Sequence, residues 1–326
     1  MTASERVVVY EPFRSIFYTP QFVTLYGGHF AAEGLDVDIR TSTATVTTTS
    51  ALIDGTARVC LGGVMRSLDL ADRGGPRLVH FAEVNSRNGF FLLGRERRHS
   101  FAWSDLIGRT VLSFAEAPTP WQCLLTVLRR HGVDPARVRI ERARPVAEAV
   151  AAFRGGYGDF LETGQPFTEI LLGEGVAHLA ASMGEATGPL PFSSYMTTTA
   201  ALEGRRDLLI RFTGALFRAQ RWLARASATE VAALIAPAFP DVPAAIRQAA
   251  VARYQAQGTW AADPILRAPG YEYLQQILLD GGFISRRHRY EDLIDTTLAS
   301  AVVEASAAGE RQGQSHRADR TQDHQP

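Results

Sequence analysis

Lysine is absent from this sequence of 326 residues, and all 34 residues counted as lysine or arginine are arginine. An arginine side chain cannot form a Schiff base with an aldehyde cofactor, and it is not readily deprotonated. The composition therefore excludes any mechanism that needs a lysine amine. We expect this protein to work without a cofactor.

Cysteine is scarce as well, and its two positions do not form a motif. Cys60 lies in an apolar stretch, and Cys123 is followed directly by Leu124 and Leu125. Two isolated cysteines fit neither a disulfide framework nor a metal site. We predict that both thiols are buried as small hydrophobic side chains and that the protein holds no metal.

Three further absences concern charge, membranes and export. The formal net charge is zero, which gives no reason to expect nucleic acid or an anionic membrane as a partner. No run of 18 or more apolar residues occurs, so no membrane span is predicted. Residues 1–6 lack the charged and apolar regions of a signal peptide and lead directly into a strand-like segment. The sequence as written predicts a cytoplasmic protein, unless an export segment precedes it.

What the sequence does contain is a repeated alternation of strands and helices. The chain length and the 46% hydrophobic content predict two domains. Strand-like and helix-like stretches alternate over residues 1–84 and again over residues 97–190, which predicts mainly parallel sheets. The pattern is helical from about residue 203, and the polar residues 306–326 predict a disordered tail.

Both alternating units contain a helix that ends in glycine, then a short strand, then a glycine-containing loop. In the first unit these glycines are Gly55 and the pair Gly62 and Gly63, and in the second they lie in residues 155–156 and 162–164. Glycine allows a sharp turn and the close approach of a ligand. Because ligands of open α/β sheets bind beyond the carboxyl ends of the strands, the two units predict a ligand cleft between two lobes.

Four segments carry a resemblance to a known family. Residues 30–37 (FAAEGLDV), 51–63, 106–111 (LIGRTV) and 131–135 (HGVDP) occur in a typical order and spacing. Over about residues 6–300 the sequence resembles the type II periplasmic solute-binding proteins. Within these it is similar to the branch that binds sulfonates, nitrate, taurine and thiamine-pyrimidine precursors.

This resemblance implies an α/β fold of two lobes with a central cleft and a C-terminal helical segment. Lobe 1 would comprise residues 1–88 and 192–305, and lobe 2 would comprise residues 89–191. The lobes would close over a small-molecule ligand about residues 85–90 and 191–195. Many family members deliver their ligand to an ABC importer, so an ABC permease is the implied partner and the periplasm the implied compartment.

The family also contains enzymes, and these provide the alternative function. In the pyrimidine synthase branch a lysine carries pyridoxal phosphate and a histidine follows, but the corresponding positions here are Gly62 and Arg66. The cysteine-rich iron motif of that branch is missing too. The desulfinase branch uses a cysteine nucleophile, for which Cys60 and Cys123 are poorly placed. A cytoplasmic enzyme or ligand sensor on the same scaffold remains the alternative to a non-catalytic binding protein.

The candidate ligand-binding residues lie in the loops that follow the predicted strands. They are Phe13, Arg14, Tyr18, Thr45, Thr47, Gly62, Gly63 and Arg66 in lobe 1, and Thr119, Trp121, Glu162 and Thr163 in lobe 2. Each also has a structural interpretation: packing for the aromatic residues, helix capping for the threonines, and surface exposure for Arg66.

The chemistry of these candidates suggests two ligand classes. Trp121 would stack on a flat ring, and Glu162 would accept hydrogen bonds from ring or amino N–H groups. Pro118 and Pro120 remove backbone donors that a tetrahedral anion would need. A pyrimidine-like heteroaromatic compound is therefore the first hypothesis. A sulfonate or carboxylate, bound through Arg66, is the second.

Overall fold

The computed structural model describes residues 4–97, 99–114 and 117–322. These residues form two five-stranded mixed sheets with helices packed on their faces. The strands are β1 (Glu5–Glu11), β2 (Leu35–Thr41), β3 (Val59–Gly62), β4 (Leu78–Asn85), β5 (Phe91–Gly94), β6 (Thr110–Leu112), β7 (Arg139–Glu141), β8 (Phe160–Thr163), β9 (His178–Ser182) and β10 (Ser193–Thr198).

The helices follow the strands in alternation and then form the C-terminal segment. They are α1 (Thr19–Tyr26), α2 (His29–Ala32), α3 (Thr48–Ile53), α4 (Val64–Asp72), α5 (Pro118–Arg130), α6 (Val146–Arg154), α7 (Phe167–Gly173), α8 (Met183–Thr187), α9 (Thr199–Gly204), α10 (Arg206–Leu223), α11 (Ala228–Leu234), α12 (Ala244–Gln257), α13 (Ala268–Asp280), α14 (Tyr290–Leu293) and α15 (Thr297–Gln322). Among them, no helix of the described chain combines the length and the apolar character that a membrane span needs.

The first sheet has the strand order β2-β1-β3-β10-β4. Strands β2 and β3 both pair in parallel with β1, and β10 lies antiparallel between β3 and β4. The strands β1 to β4 therefore all end at the same edge of the sheet. The chain thus returns from the second unit to the first sheet through β10.

The second sheet has the order β7-β6-β8-β5-β9. Strand β6 pairs in parallel with β7 and β8, whereas β5 is antiparallel to β8 and β9. All residues of β3, β5 and β8 are buried, as expected for central strands covered by helices on both faces. This arrangement confirms the predicted α/β fold of two lobes.

The chain crosses between the lobes twice, from β4 to β5 and from β9 to β10. Asn85 at the end of β4 is fully buried. Its amide nitrogen donates to the carbonyl oxygen of Phe17 at 2.7 Å, and its amide oxygen accepts from the Ser193 hydroxyl at 2.7 Å. One buried amide thus fastens both crossings to the loop that follows β1.

Helix α12 lies against both lobes. The buried Tyr254 hydroxyl donates to the carbonyl oxygen of Gly89 in the first crossing at 3.0 Å, and it accepts from the backbone N–H of Gln165 at 3.2 Å. The neighbouring Arg253 forms an ion pair with Glu169 of α7. The C-terminal helices therefore connect the lobes as well as covering the first sheet.

The structure differs from the sequence predictions at two helix boundaries. The two prolines within residues 115–120 predict a loop, but α5 begins at Pro118, and residues 115–116 lie outside the described chain. Proline fits the first turn of a helix, where its missing N–H would have no partner. Helix α15 runs to Gln322 through most of the predicted disordered tail, whose residues 323–326 also lie outside the described chain.

Candidate ligand-binding site

The carboxyl ends of strands from both sheets face one crevice. Phe13 follows β1, Gly63 follows β3 and Phe114 follows β6, and all three border the same cavity. The strand ends of the two lobes therefore share an internal space, as the paired glycine loops predict.

This cavity, which we call the inner chamber, has an empty volume of about 390 Å³. That value includes the solvent at the mouth of the cavity, and the space that a water-sized sphere can reach is only about 30 Å³. Most of its wall is aromatic or apolar, and the polar contribution is small. The lining residues are Pro12, Phe13, Phe17, Tyr18, Gly63, Met65, Arg66, Phe90, Phe114, Ala117, Thr119, Pro120, Phe192 and Ser193.

The aromatic rings of the inner chamber contact one another across the lobes. The Phe13 ring of lobe 1 lies 5.7 Å from the Phe114 ring of lobe 2, and Phe114 lies 4.8 Å from Phe90. Phe13 also packs against Tyr18 at 5.5 Å. These centroid distances are typical of favourable aromatic pairs. The crevice is therefore closed by side chains on this side.

Arg66 supplies a cation to this apolar chamber. It is the third residue of α4, so the helix carries its guanidinium group to the chamber wall. Its Nε atom is buried without a hydrogen-bond partner, and no ion pair of Arg66 occurs among the described residues. Burial lowers the pKa of Arg66, although the residue as a whole is only half-buried.

A side chain at Gly62 would be crowded mainly by Met196 and not by Arg66. A Cβ atom on Gly62 would lie 3.1 Å from Met196 Cε, 3.6 Å from Arg66 Cδ and 3.7 Å from Thr48 Oγ1. The Thr48 hydroxyl oxygen is buried and also lacks a hydrogen-bond partner. Gly63 lies on the chamber wall, whereas Gly62 lies behind it, next to the Arg66 side chain. The burial of Thr48 depends on tertiary packing, which the sequence alone does not show.

Arg14 has a different environment, although it also follows β1. Its Nε atom donates to the buried carboxylate of Glu11 at 2.5 Å, and its guanidinium lies 5.1 Å from the Phe22 ring centroid. The Glu11 carboxylate also accepts from Gln21 and Thr41. Burial raises the pKa of Glu11, and the charge of Arg14 opposes that shift. The charge of Arg14 is thus already neutralised by a protein group.

The candidates of lobe 2 form a polar cluster behind the chamber wall. The Ser113 hydroxyl donates to Glu162 Oε2 at 2.5 Å, while Glu162 Oε1 and Thr163 Oγ1 are buried without partners. Glu162 is only 1% exposed, and burial raises its pKa to about 7. The Arg142 guanidinium stacks 4.3 Å from the Trp121 ring. Neither Trp121 nor Glu162 borders the inner chamber, whereas Thr119 does.

The two threonines proposed for lobe 1 lie outside the inner chamber. Thr47 is exposed and caps α3, since its hydroxyl accepts from the Ser50 N–H at 3.1 Å. Thr45 is exposed and pairs with Thr43 at 3.2 Å. The structure therefore brings together Phe13, Tyr18, Gly63, Arg66 and Thr119, with Gly62 directly behind them. It adds Phe17, Phe90, Phe114 and Phe192, which sequence reasoning missed.

Both cysteines are buried, as predicted. Burial raises the pKa of each thiol to about 12. Neither thiol is therefore prepared to act as a thiolate nucleophile at neutral pH. The described residues also contain no group of three or more His, Cys, Asp or Glu side chains arranged for a metal ion.

The fold and the cleft together define a two-lobed protein of the type II periplasmic-binding-protein class. Residues 17–225 match the model of the family described as NMT1/THI5 like. The chain belongs to this family.

Individual relatives agree with this assignment. The chain is 29% identical over 300 residues to the putative binding protein YtlA of Bacillus subtilis, covering 91% of this chain and 90% of that protein. The alkanesulfonate-binding protein SsuA from Xanthomonas axonopodis, bound to MOPS, superposes with a TM-score of 0.66 at 19% identity, covering 88% of this chain and 96% of that one. A ligand-binding component of an ABC-type import system from Staphylococcus aureus superposes with a TM-score of 0.70 at 11% identity, covering 91% and 98%.

Proposed function

We propose that this protein is the solute-binding component of an ABC import system and that it binds an anion with an apolar body in the inner chamber. Membership of the NMT1/THI5-like family, a relative described as a binding protein and a structural neighbour from an import system support the first part. In this proposal, lobe 1 (residues 1–88 and 192–305) and lobe 2 (residues 89–191) close about the two crossings.

The observation that carries the ligand class is the uncompensated Arg66. Arg66 is half-buried and its Nε atom is buried without a partner, so a carboxylate or sulfonate group would satisfy it with charge-assisted hydrogen bonds. Arg14 lacks this property because Glu11 already neutralises it. The aromatic wall favours a ring or another apolar group on the same ligand. This favours the second of the two ligand hypotheses over an uncharged heteroaromatic compound.

The pyrimidine-like ligand stays a prediction. The unpaired Glu162 Oε1 could accept an N–H group, but Glu162 lies behind the chamber wall and not on it. The enzyme alternative finds no support in the cysteines, whose raised pKa values argue against desulfinase chemistry. A role in ligand binding stays a prediction from the sequence for four residues: Thr45, Thr47, Trp121 and Thr163.

Calorimetry with matched anionic and neutral compounds tests the ligand class. We expect benzenesulfonate or benzoate to bind at least tenfold more tightly than benzenesulfonamide or benzamide. Arg66→Gln should weaken binding of the anion by roughly 10- to 100-fold, because a hydrogen bond to a charged group contributes about 1.5–3 kcal/mol.

The matched control is Arg73→Gln at the end of the same helix, where the arginine side chain is 74% exposed. This variant should bind the anions as the unchanged protein does. Equal affinity for the neutral analogues, or full affinity in Arg66→Gln, would contradict the proposed ligand class. Uptake of the radiolabelled anion by cells that lack the gene tests the transport role: uptake restored by the unchanged gene but not by Arg66→Gln is the expected result.

A further inference from the structure

A second cavity lies directly beyond the aromatic wall of the inner chamber. This outer chamber has an empty volume of about 780 Å³. Its lining includes Val146 and residues 164–167 of lobe 2, and Phe239 and Val242 of lobe 1. Three rings, those of Phe13, Phe90 and Phe114, border both chambers. The boundary between the two spaces is thus formed in part by these three aromatic side chains.

The outer chamber is apolar, and its few polar groups already have partners. The Arg14 guanidinium is paired with Glu11, and the Ser15 hydroxyl oxygen accepts from the Phe17 N–H at 3.2 Å. The Gln165 side chain donates to Glu169 at 2.9 Å, and its backbone N–H donates to Tyr254. Among the described residues, the outer chamber therefore presents no uncompensated charge, in contrast to the inner chamber with Arg66.

The two chambers suit two chemically different parts of one ligand. A desolvated cation at the inner end suits an anionic head, and an apolar space suits an uncharged tail. An apolar cavity alone does not fix the orientation of a ligand. An anionic head group bound to Arg66 would fix it and would direct the tail of the ligand past the rings into the outer chamber. Two separate occupants would leave the shared ring wall without a role in recognition.

We infer that the ligand is an amphiphilic anion whose head lies on Arg66 and whose hydrocarbon or aryl tail passes Phe13 and Phe114 into the outer chamber. This inference rests on the proposed function and specifies the length and polarity of its ligand. It distinguishes a long, tailed anion from a short one that would fill the inner chamber only.

A homologous series of linear alkanesulfonates, from ethane- through butane- to octanesulfonate, tests the inference by calorimetry. We expect affinity to rise up to about fourfold for each added methylene that enters the outer chamber. The rise should continue from butane- to octanesulfonate. Affinity that stays flat beyond ethanesulfonate would overturn the inference while leaving the Arg66 site intact.

Substitutions that fill the outer chamber provide the second arm. Val242→Phe adds bulk from lobe 1 and Val146→Phe adds bulk from lobe 2, so that one variant remains if the other fails to fold. Each should reduce the ratio of octanesulfonate to ethanesulfonate affinity by at least tenfold. The matched control is Val176→Phe, at a half-buried valine outside both chambers, which should leave the ratio unchanged.

The outcomes separate the two proposals. A ratio unaffected by both chamber-filling variants would overturn the tail assignment, even if Arg66→Gln still weakens binding. If no sulfonate and no matched carboxylate of the series binds at all, the proposed anion site falls, and this inference falls with it.

Discussion

Glu162 illustrates how a single buried side chain couples this fold to pH. The group is 1% exposed, and its pKa rises from the ordinary 4.5 to about 7 because burial disfavours the charged form. Between these two values the folded state binds more protons than the unfolded state. The free energy of unfolding contributed by this group therefore falls as the pH rises from about 4.5 to about 7.

Glu162→Gln should remove this pH dependence. The variant keeps an oxygen that can accept from Ser113 but cannot ionise. As the pH rises from 5 to 8, the unchanged protein should lose free energy of unfolding and the variant should not. The difference between the two should therefore grow by up to roughly 3 kcal/mol in favour of the variant. Urea unfolding at both pH values measures the effect, and the exposed Glu148→Gln on α6 serves as control. Parallel pH profiles for the Glu162 variant and the unchanged protein would show that the carboxyl group is ionised in the fold.

Residue types that serve a binding site could be read from the sequence, but their partners could not. Arg14 and Arg66 both follow strands of lobe 1, yet only the structure shows that Glu11 neutralises Arg14. The chamber rings Phe17, Phe90 and Phe192 come from distant segments, and only the sheet order brings them together. No local pattern distinguishes such rings from ordinary core residues.

At the scale of elements, the loop after β2 is organised by a helix cap. The Thr47 hydroxyl accepts from the Ser50 N–H, and the Ser50 hydroxyl accepts from the Thr47 N–H at 2.9 Å. This reciprocal pair satisfies two donors at the start of α3. The same hydroxyl that made Thr47 a candidate for oxyanion binding is therefore engaged by the protein itself.

Thr47→Ala should lower the free energy of unfolding by about 1 kcal/mol, because the first turn of α3 loses its cap. Affinity for benzenesulfonate should not change. The matched control is Thr45→Ala, which removes an exposed hydroxyl bonded only to Thr43 and should leave stability within about 0.5 kcal/mol. Weaker anion binding without a loss of stability would return Thr47 to the binding site.

Most element positions followed from local rules, and the exceptions have physical reasons. Glycines and alternating hydrophobic residues predicted the alternation of strands and helices in both units. The prediction for the start of α5 was wrong because its prolines suggested a loop, although proline is well suited to the first helical turn. The last helix extends beyond the predicted boundary through alanine, glutamate, glutamine and arginine, which are favourable in helices.

At the scale of the whole molecule, α12 ties the two lobes together. The Tyr254 ring packs between Phe17 of lobe 1 and Phe91 of lobe 2, each at 5.9 Å, and its hydroxyl bonds to the first crossing and to Gln165. The arrangement of the two lobes was predictable by resemblance, since the order of segments is typical of the family. The bridging role of α12 was not, because it depends on which face of a C-terminal helix meets lobe 2.

Tyr254→Phe should destabilise the protein by about 1–3 kcal/mol. The substitution keeps the ring but leaves the Gly89 carbonyl and the Gln165 N–H buried without this partner. Chemical denaturation measures the change, with Tyr26→Phe as control, since Tyr26 is 37% exposed. A loss no larger than that of the control would mean that solvent replaces the hydroxyl and that α12 does not hold the lobes together at this point.

The ring contact between Phe13 and Phe114, with centroids 5.7 Å apart, has a consequence for kinetics. A molecule that moves between the inner and outer chambers must displace these rings or wait until the lobes separate. Release of a bound ligand by this path is then limited by a motion of the protein itself. The residence time of the ligand therefore does not depend on the concentration of free solute.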